Sequence, residues 1–245
     1  MISIRQLTKT LGSQQVLRGI DLEIATGETC VILGRSGCGK SVLLKHLIGL
    51  FQPTAGEVWV EGEEISRLPE RKLGGIRKKI GMLFQSAALF DSMNVEDNLA
   101  FPLREAGVKN EGEIRDRVAE ALNMVDLAGE QKKMPEKLSG GMRKRVGLAR
   151  TIVGRPACIL YDEPTTGLDP IASDSINHLI RRLQKRLHVT SVVVTHDMRT
   201  AFTTADRIAF LHEAGIYFHG TVEALKAATD PVLTDFIEGR SGDIS

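Results

Sequence analysis

The stretch Gly34-Arg35-Ser36-Gly37-Cys38-Gly39-Lys40-Ser41 follows the apolar run Thr29-Cys30-Val31-Ile32-Leu33 and precedes a segment, residues 42–49, with helical spacing. Gly34, Gly37 and Gly39 leave the backbone free to curl with successive N–H groups facing inward, a concavity that holds an anion. Lys40 adds a mobile ammonium for the β- and γ-phosphates of a nucleotide, and Ser41 offers a hydroxyl to Mg²⁺. The helix that starts here points the positive end of its dipole at the same phosphates. A glycine-rich turn can arise by chance, but this one sits between strand and helix, as phosphate binding requires. It reads as a P-loop, with Arg35, Ser36, Cys38 and the adjoining Val42 in the binding stretch.

Composition sets the outer limits. The 245 residues, 42% of them hydrophobic, can bury one large α/β domain or two small ones. Lys and Arg total 32 against 31 Asp and Glu, a net charge of +1, which lacks the basic surplus of a nucleic-acid binder. No apolar run approaches the ~20 residues that span a bilayer. Met1-Ile2-Ser3-Ile4-Arg5 lacks the charged-then-apolar order of an export signal, so a cytoplasmic location is expected. The three cysteines, Cys30, Cys38 and Cys158, show no CxxC spacing, against a disulfide framework or a zinc site. Cys30 and Cys158 read as buried strand residues. Cys38 lies near a helix N-terminus and Lys40, where a thiolate is expected to be favoured and alkylation to block nucleotide binding.

Along the chain, residues 2–7, 16–24 and 57–60 are β-type runs separated by glycines, predicting an antiparallel sheet beside the P-loop strand. Residues 80–84 read as another strand, ending at Gln85. From Ser86 to about Pro156 the pattern turns helical. Leu89, Phe90, Met93, Val95, Leu99, Phe101 and Leu103 form an apolar segment broken by Pro102, either a core or a docking surface. Ile114, Val118, Leu122 and Val125 recur at helical spacing as an amphipathic helix. Leu138-Ser139-Gly140-Gly141-Met142 then feeds a further helix. Capping chemistry alone explains that turn, yet it is also a second anion-binding helix N-terminus, and one nucleotide does not need two from one subunit.

The run 157–162 reads as a buried strand ending in Asp162-Glu163. A lone Asp-Glu pair usually marks a turn; downstream of a P-loop, Asp162 is placed to hold Mg²⁺ and Glu163 to orient or deprotonate the attacking water. Gly167-Leu168-Asp169-Pro170 turns the chain into a helix carrying Ile176, Leu179, Ile180, Leu183 and Leu187 on one face. Residues 191–195 form a β-branched strand ending at His196, which gains meaning only from this company. His178, His188, His212 and His219 show no metal-ligand spacing. After Gly220, Thr221 reads as a helix cap and Leu225, Val232 and Phe236 as anchors of closing helices.

In this order the P-loop, strand-end Gln85, Leu138-Ser139-Gly140-Gly141, Asp162-Glu163, Leu168-Asp169 and His196 resemble the Walker A, Q-loop, signature, Walker B, D-loop and switch histidine of an ATP-binding cassette ATPase. The resemblance spans residues 1–238. It implies an α/β P-loop NTPase fold with a RecA-like core and antiparallel β-subdomain (1–85 and 157–238), a helical signature subdomain (86–156) and a short tail (239–245). It further implies ATP and Mg²⁺ as ligands, with Ser41, Gln85 and Asp162 at the metal and Glu163, His196 and Gln85 at the chemistry. Ser139, Gly140, Gly141 and Asp169 would close on ATP held by a second cassette, in a head-to-tail dimer. Membrane permease subunits would dock near Gln85 and residues 88–103, placing the chain at the cytoplasmic face of the inner membrane.

Met142 where most cassettes carry Gln, Val42 where many carry Thr, and the text of 88–95 and 98–105 resemble the ATPases of Mce-type lipid transporters, including the Mla phospholipid system. That implies an Mce-type substrate-binding protein and a further accessory subunit as partners. The aromatic residue that commonly stacks on adenine is here Leu11, so weaker ATP binding or weak base selectivity is expected. Other classes fit less well. Chromosome-maintenance cassettes carry a long heptad insertion and translation-associated ones generally carry two cassettes. A purely structural role would tolerate loss of Glu163 or His196. An importer of amino acids is the nearer alternative, its cassettes normally retaining Gln in the signature.

Overall fold

Strand β1 (Ile2–Leu11) pairs antiparallel with β2 (Gln14–Ile24), setting Ile2 opposite Ile24 and Leu11 opposite Gln14 across a tight turn. The computed structural model describes residues 1–240. Strand β3 (Thr29–Leu33) leads through the glycine-rich loop into helix α1 (Lys40–Leu47). Strands β4 (Ala55–Val60) and β5 (Glu63–Glu64) then complete an antiparallel sheet in the order β2-β1-β4-β5, as the sequence predicted. The chain continues through α2 (Glu70–Lys79), β6 (Ile80–Leu83), α3 (Val95–Glu105), α4 (Glu111–Met124), a 3₁₀ turn (Pro135–Lys137) and α5 (Gly140–Ile152). It closes with β7 (Cys158–Asp162), α6 (Pro170–Leu187), β8 (Thr190–Thr195), α7 (Met198–Thr204), β9 (Arg207–His212), β10 (Gly215–Gly220), α8 (Val222–Lys226) and α9 (Pro231–Ile237).

The second sheet has the order β10-β9-β3-β8-β7-β6, with β10 antiparallel to β9 and the remaining neighbours parallel. Every residue of β3 and β8 is buried, the signature of interior parallel strands covered on both faces. Side chains alternate between those faces. Val31, Leu33, Ile159, Tyr161 and Val193 pack with residues of α3 to α6, whereas Cys30, Ile32, Cys158, Leu160, Val192 and Val194 pack with α1 and the antiparallel sheet. Each fully buried Leu or Ile contributes about 2 kcal/mol relative to exposure.

Two expectations change in detail. Pro102 does not break the apolar segment; it lies inside α3, which tolerates the N–H that proline lacks and the crowding of its ring against the preceding turn. Asn94 caps that helix, its side chain accepting from Asp97 N at 2.9 Å, and buried Asn98 Nδ2 donates to the carbonyls of Phe90, Met93 and Asn94, binding the preceding loop to the helix. The segment is also divided between core and surface. Val95, Leu99, Ala100 and Leu103 are core, while Phe90 and Phe101 stand exposed, with ring centroids 5.0 Å apart. Thr221 caps α8 as expected, accepting from Ala224 N at 3.2 Å. Of the short tail expected at 239–245, residues 241–245 lie outside the described residues.

Candidate active site

In the parallel sheet β3, β8, β7 and β6 are consecutive neighbours, so their carboxyl ends reach one edge side by side. Ligands of open α/β sheets bind outside that edge. From β3 issues the P-loop, from β8 His196, from β7 Asp162 and Glu163, and from β6, after Phe84, Gln85. A cavity of about 430 Å³ there is lined by Val16, Gly37, Lys40, Ser41, Gln85, Glu163 and His196, among others including Ser36, Gly39 and Val42.

Gly39 caps α1 at φ 106°, a conformation side chains rarely adopt, and a Cβ there would meet the Val16 carbonyl oxygen at 2.9 Å. Lys40 is buried, its Nζ donating to the carbonyls of Gly34 at 2.8 Å and Arg35 at 2.9 Å while standing 3.7 Å from Glu163 Oε1. Ser41 Oγ donates to Asp162 Oδ1 at 3.0 Å. A hydroxyl and a carboxylate in contact form part of an oxygen donor set suited to a hard divalent cation that takes its other ligands from phosphate and water. Among the described residues no group of three His, Cys, Asp or Glu forms an all-protein cage.

Glu163 adopts φ 47°, the left-handed region, which is costly for a side-chain-bearing residue and tends to mark functional sites. Its N–H donates to Val194 O at 2.9 Å, anchoring it to β8. The carboxylate faces His196 Nδ1 at 3.0 Å and accepts from Thr195 Oγ1 at 3.3 Å and Thr166 Oγ1 at 3.4 Å. A carboxylate so held at the cavity wall is able to orient a water and take its proton.

The remaining sequence candidates lie outside this cavity. Ser139 caps α5, its side chain accepting from Met142 N at 3.2 Å, and Asp169 caps α6, accepting from Ile171 N and Ala172 N at 2.9 Å. Neither these residues nor Gly140 and Gly141 line it; Gly140 instead packs towards Leu168, 3.3 Å from where its Cβ would stand. Arg35 lines a neighbouring depression with Ser36, His196 and α9, and Leu11 stands 41% exposed at the β1–β2 turn.

Cys38 departs from its expectation. Its Sγ tucks under the loop, 2.8 Å from where a Gly34 Cβ would stand, and burial pushes the thiol pKa up, outweighing Lys40 and nearby backbone N–H groups. The thiolate is therefore disfavoured. Cys30 and Cys158 are fully buried and pushed up to about 12.

Sequence reading missed Thr166, three residues along the turn after Glu163, and Thr195, a strand-end residue that only folding brings to it. It also missed Lys144, buried on α5. The available signal was spacing: Lys144 falls four residues from both Gly140 and Leu148, on the inward stripe of that helix.

Residues 17–166 match the model of the family described as ABC transporter. The chain is 44% identical over 239 residues to the probable ribonucleotide transport ATP-binding protein mkl of Mycobacterium leprae, covering 98% of this chain and 69% of that one. It is 39% identical over 239 residues to the intermembrane phospholipid transport system ATP-binding protein MlaF of Escherichia coli, covering 98% and 89%. Among solved structures, the ATP-binding cassette MJ0796, in a dimeric post-hydrolysis state with ADP and phosphate, matches with a TM-score of 0.82 and 33% identity, covering 91% of this chain and 99% of that one. The chain belongs to the ABC transporter family, and it is one of the family's ATP-hydrolysing cassettes.

Proposed function

We propose that this cassette drives phospholipid transport between envelope membranes, working as a pair of copies beneath membrane permease subunits at the cytoplasmic face of the inner membrane. The observation that carries the site is the meeting of Lys40, Ser41, Gln85, Glu163 and His196 around one cavity, with Ser139, Gly140 and Gly141 outside it. The first set is a complete phosphate and water site. The second is a capped helix N-terminus free to close on ATP held by another copy.

The residues divide the work. Lys40 and the loop amides hold the phosphates; Ser41, Asp162 and Gln85 would hold Mg²⁺, which would supply charge neutralisation for phosphoryl transfer. Glu163 orients the attacking water and accepts its proton. His196 fixes the Glu163 carboxylate and contacts the γ-phosphate. Ser139 and Gly141 of the second copy complete the enclosure, with Asp169 shaping the turn between the copies. The division at 86–156 separates the helices carrying the signature from the core carrying the P-loop.

Permease docking is supported by a second, more apolar depression of about 920 Å³, lined by Met82, Phe84, Phe90, Phe101, Pro102 and Val108, among others. A short permease helix fits such a groove. The lipid assignment rests on Met142, Val42 and the text of 88–95 and 98–105, together with similarity to MlaF over nearly the full length of both chains. Partners of the Mce type, a substrate-binding protein and an accessory subunit, follow from it.

The test is to purify the assembled complex with Glu163→Gln and with wild-type chain. The variant is expected to hold two ATP between two copies with little turnover, and the wild-type complex to carry phospholipid visible by mass spectrometry. Normal turnover in the variant overturns the site; a complex without lipid that binds an amino acid overturns the cargo.

A further inference from the structure

Helix α5 grips the segment that follows β6. Lys144 Nζ donates to the Gln85 carbonyl, Arg150 donates to the carbonyls of Ala87 at 2.9 Å and Ala88 at 2.8 Å, and a Cβ on Gly147 would lie 3.0 Å from Ala87 Cβ. Ala87 and Ala88 both have positive φ, 62° and 47°, so this segment is held away from relaxed backbone geometry. One of these contacts reaches further. Lys144 Nζ also lies 3.3 Å from the carbonyl oxygen of Glu163, the residue that itself sits at φ 47°.

Lys144 is 5% exposed and forms no ion pair within 4.0 Å among the described residues. Burial lowers its pKa, against the more distant attraction of Glu163 and Asp162. A buried ammonium held by two carbonyls is costly to keep, and an apolar residue of the same length would fill its place without that cost. Packing therefore does not explain the charge. Its two acceptors do: one belongs to the segment that lines both the phosphate cavity and the docking groove, the other to the water-activating residue.

We infer that Lys144 is a positioning residue for hydrolysis, the strut through which α5 sets the backbone of Glu163 and Gln85 together. It touches no substrate. A shift of α5, whose N-terminus closes on the other copy's nucleotide, is carried through this one side chain to the catalytic carboxylate. The inference rests on the role proposed for Glu163.

The experiment compares wild type, Lys144→Met and Lys144→Arg in the full chain, with Lys144→Gln as an uncharged donor should the Met variant fail to fold. Because misplacing a reacting group by about 1 Å costs on the order of 100-fold, Lys144→Met is expected to lose about that in kcat. Its affinity for a fluorescent ATP analogue should stay within about twofold, since the phosphate-binding groups are untouched. Lys144→Arg should recover most of the rate. Wild-type kcat in Lys144→Met overturns the inference, as does an equal fall in kcat and affinity that Arg does not rescue. Unimpaired hydrolysis by Glu163→Gln would instead remove the role of Glu163, a separate failure.

Discussion

His196 Nδ1 stands 3.0 Å from both carboxylate oxygens of Glu163. Thr195, the last residue of β8, bonds the same carboxylate, so one strand end delivers two of its partners. These contacts fix the carboxylate in direction, the arrangement that the general-base role proposed for Glu163 requires. Replacing His196 with Ala removes one γ-phosphate contact but leaves Lys40 and the loop amides in place, and it frees the carboxylate to turn. The expected result is a kcat lower by about 100-fold with ATP affinity kept, read by phosphate release and nucleotide titration.

At the β1–β2 turn, Leu11 offers an exposed apolar side chain where an aromatic ring would give adenine a flat partner. Stacking of a base on an aromatic ring is worth about 1–3 kcal/mol. Leu11→Tyr should tighten ATP binding by roughly five- to hundredfold and sharpen the preference for ATP over GTP. Isothermal titration with both nucleotides decides it; unchanged affinity and ratio would remove Leu11 from the base site.

Burial raises the Cys38 thiol pKa, and a raised pKa means less thiolate at any given pH. Iodoacetamide should therefore modify Cys38 more slowly than free cysteine near neutral pH, the rate climbing as pH rises through and above the ordinary thiol range. ATP should slow it further by covering the loop. Cys30 and Cys158, fully buried, should stay unmodified in the folded protein. Peptide mass spectrometry after timed alkylation reads all three sites.

Phe101 is 37% exposed and packs against Phe90 at the groove, with Arg150 placed over the Phe90 ring. A carboxylate at position 101 would have to be desolvated by any apolar helix seated there. Phe101→Glu should abolish copurification of the membrane subunits while the affinity of the isolated chain for ATP stays within about twofold. Retained assembly would show that the groove is not the docking face.

Nucleotide chemistry was legible because it is local. Eight successive residues make the P-loop, two make the acidic strand end, and each motif carries its own backbone geometry, so 34–41, 85, 162–163 and 196 already implied one site, with 138–141 set apart for a second copy. Strand identities were legible for the same reason, since alternation and β-branching are short-range patterns. Pro102 shows the limit. Its local preference is to end a helix, yet α3 runs through it because Val95, Leu99, Ala100 and Leu103 bury against the core and Asn94 caps the start.

What only the tertiary structure decided depends on distance in sequence. Lys144 reaches Gln85 across 59 positions and Glu163 across 19, contacts that no spacing rule predicts. Cys38 illustrates the same point in electrostatics: its neighbours in sequence favour a thiolate, but folding packs its side chain against the core cluster of the antiparallel sheet and the resulting desolvation outweighs them. Residue order determined which chemical groups the protein owns and the local shapes that present them. The fold determined which of those groups are dry and which meet, because desolvation and long-range contact arise only once the sheet is assembled.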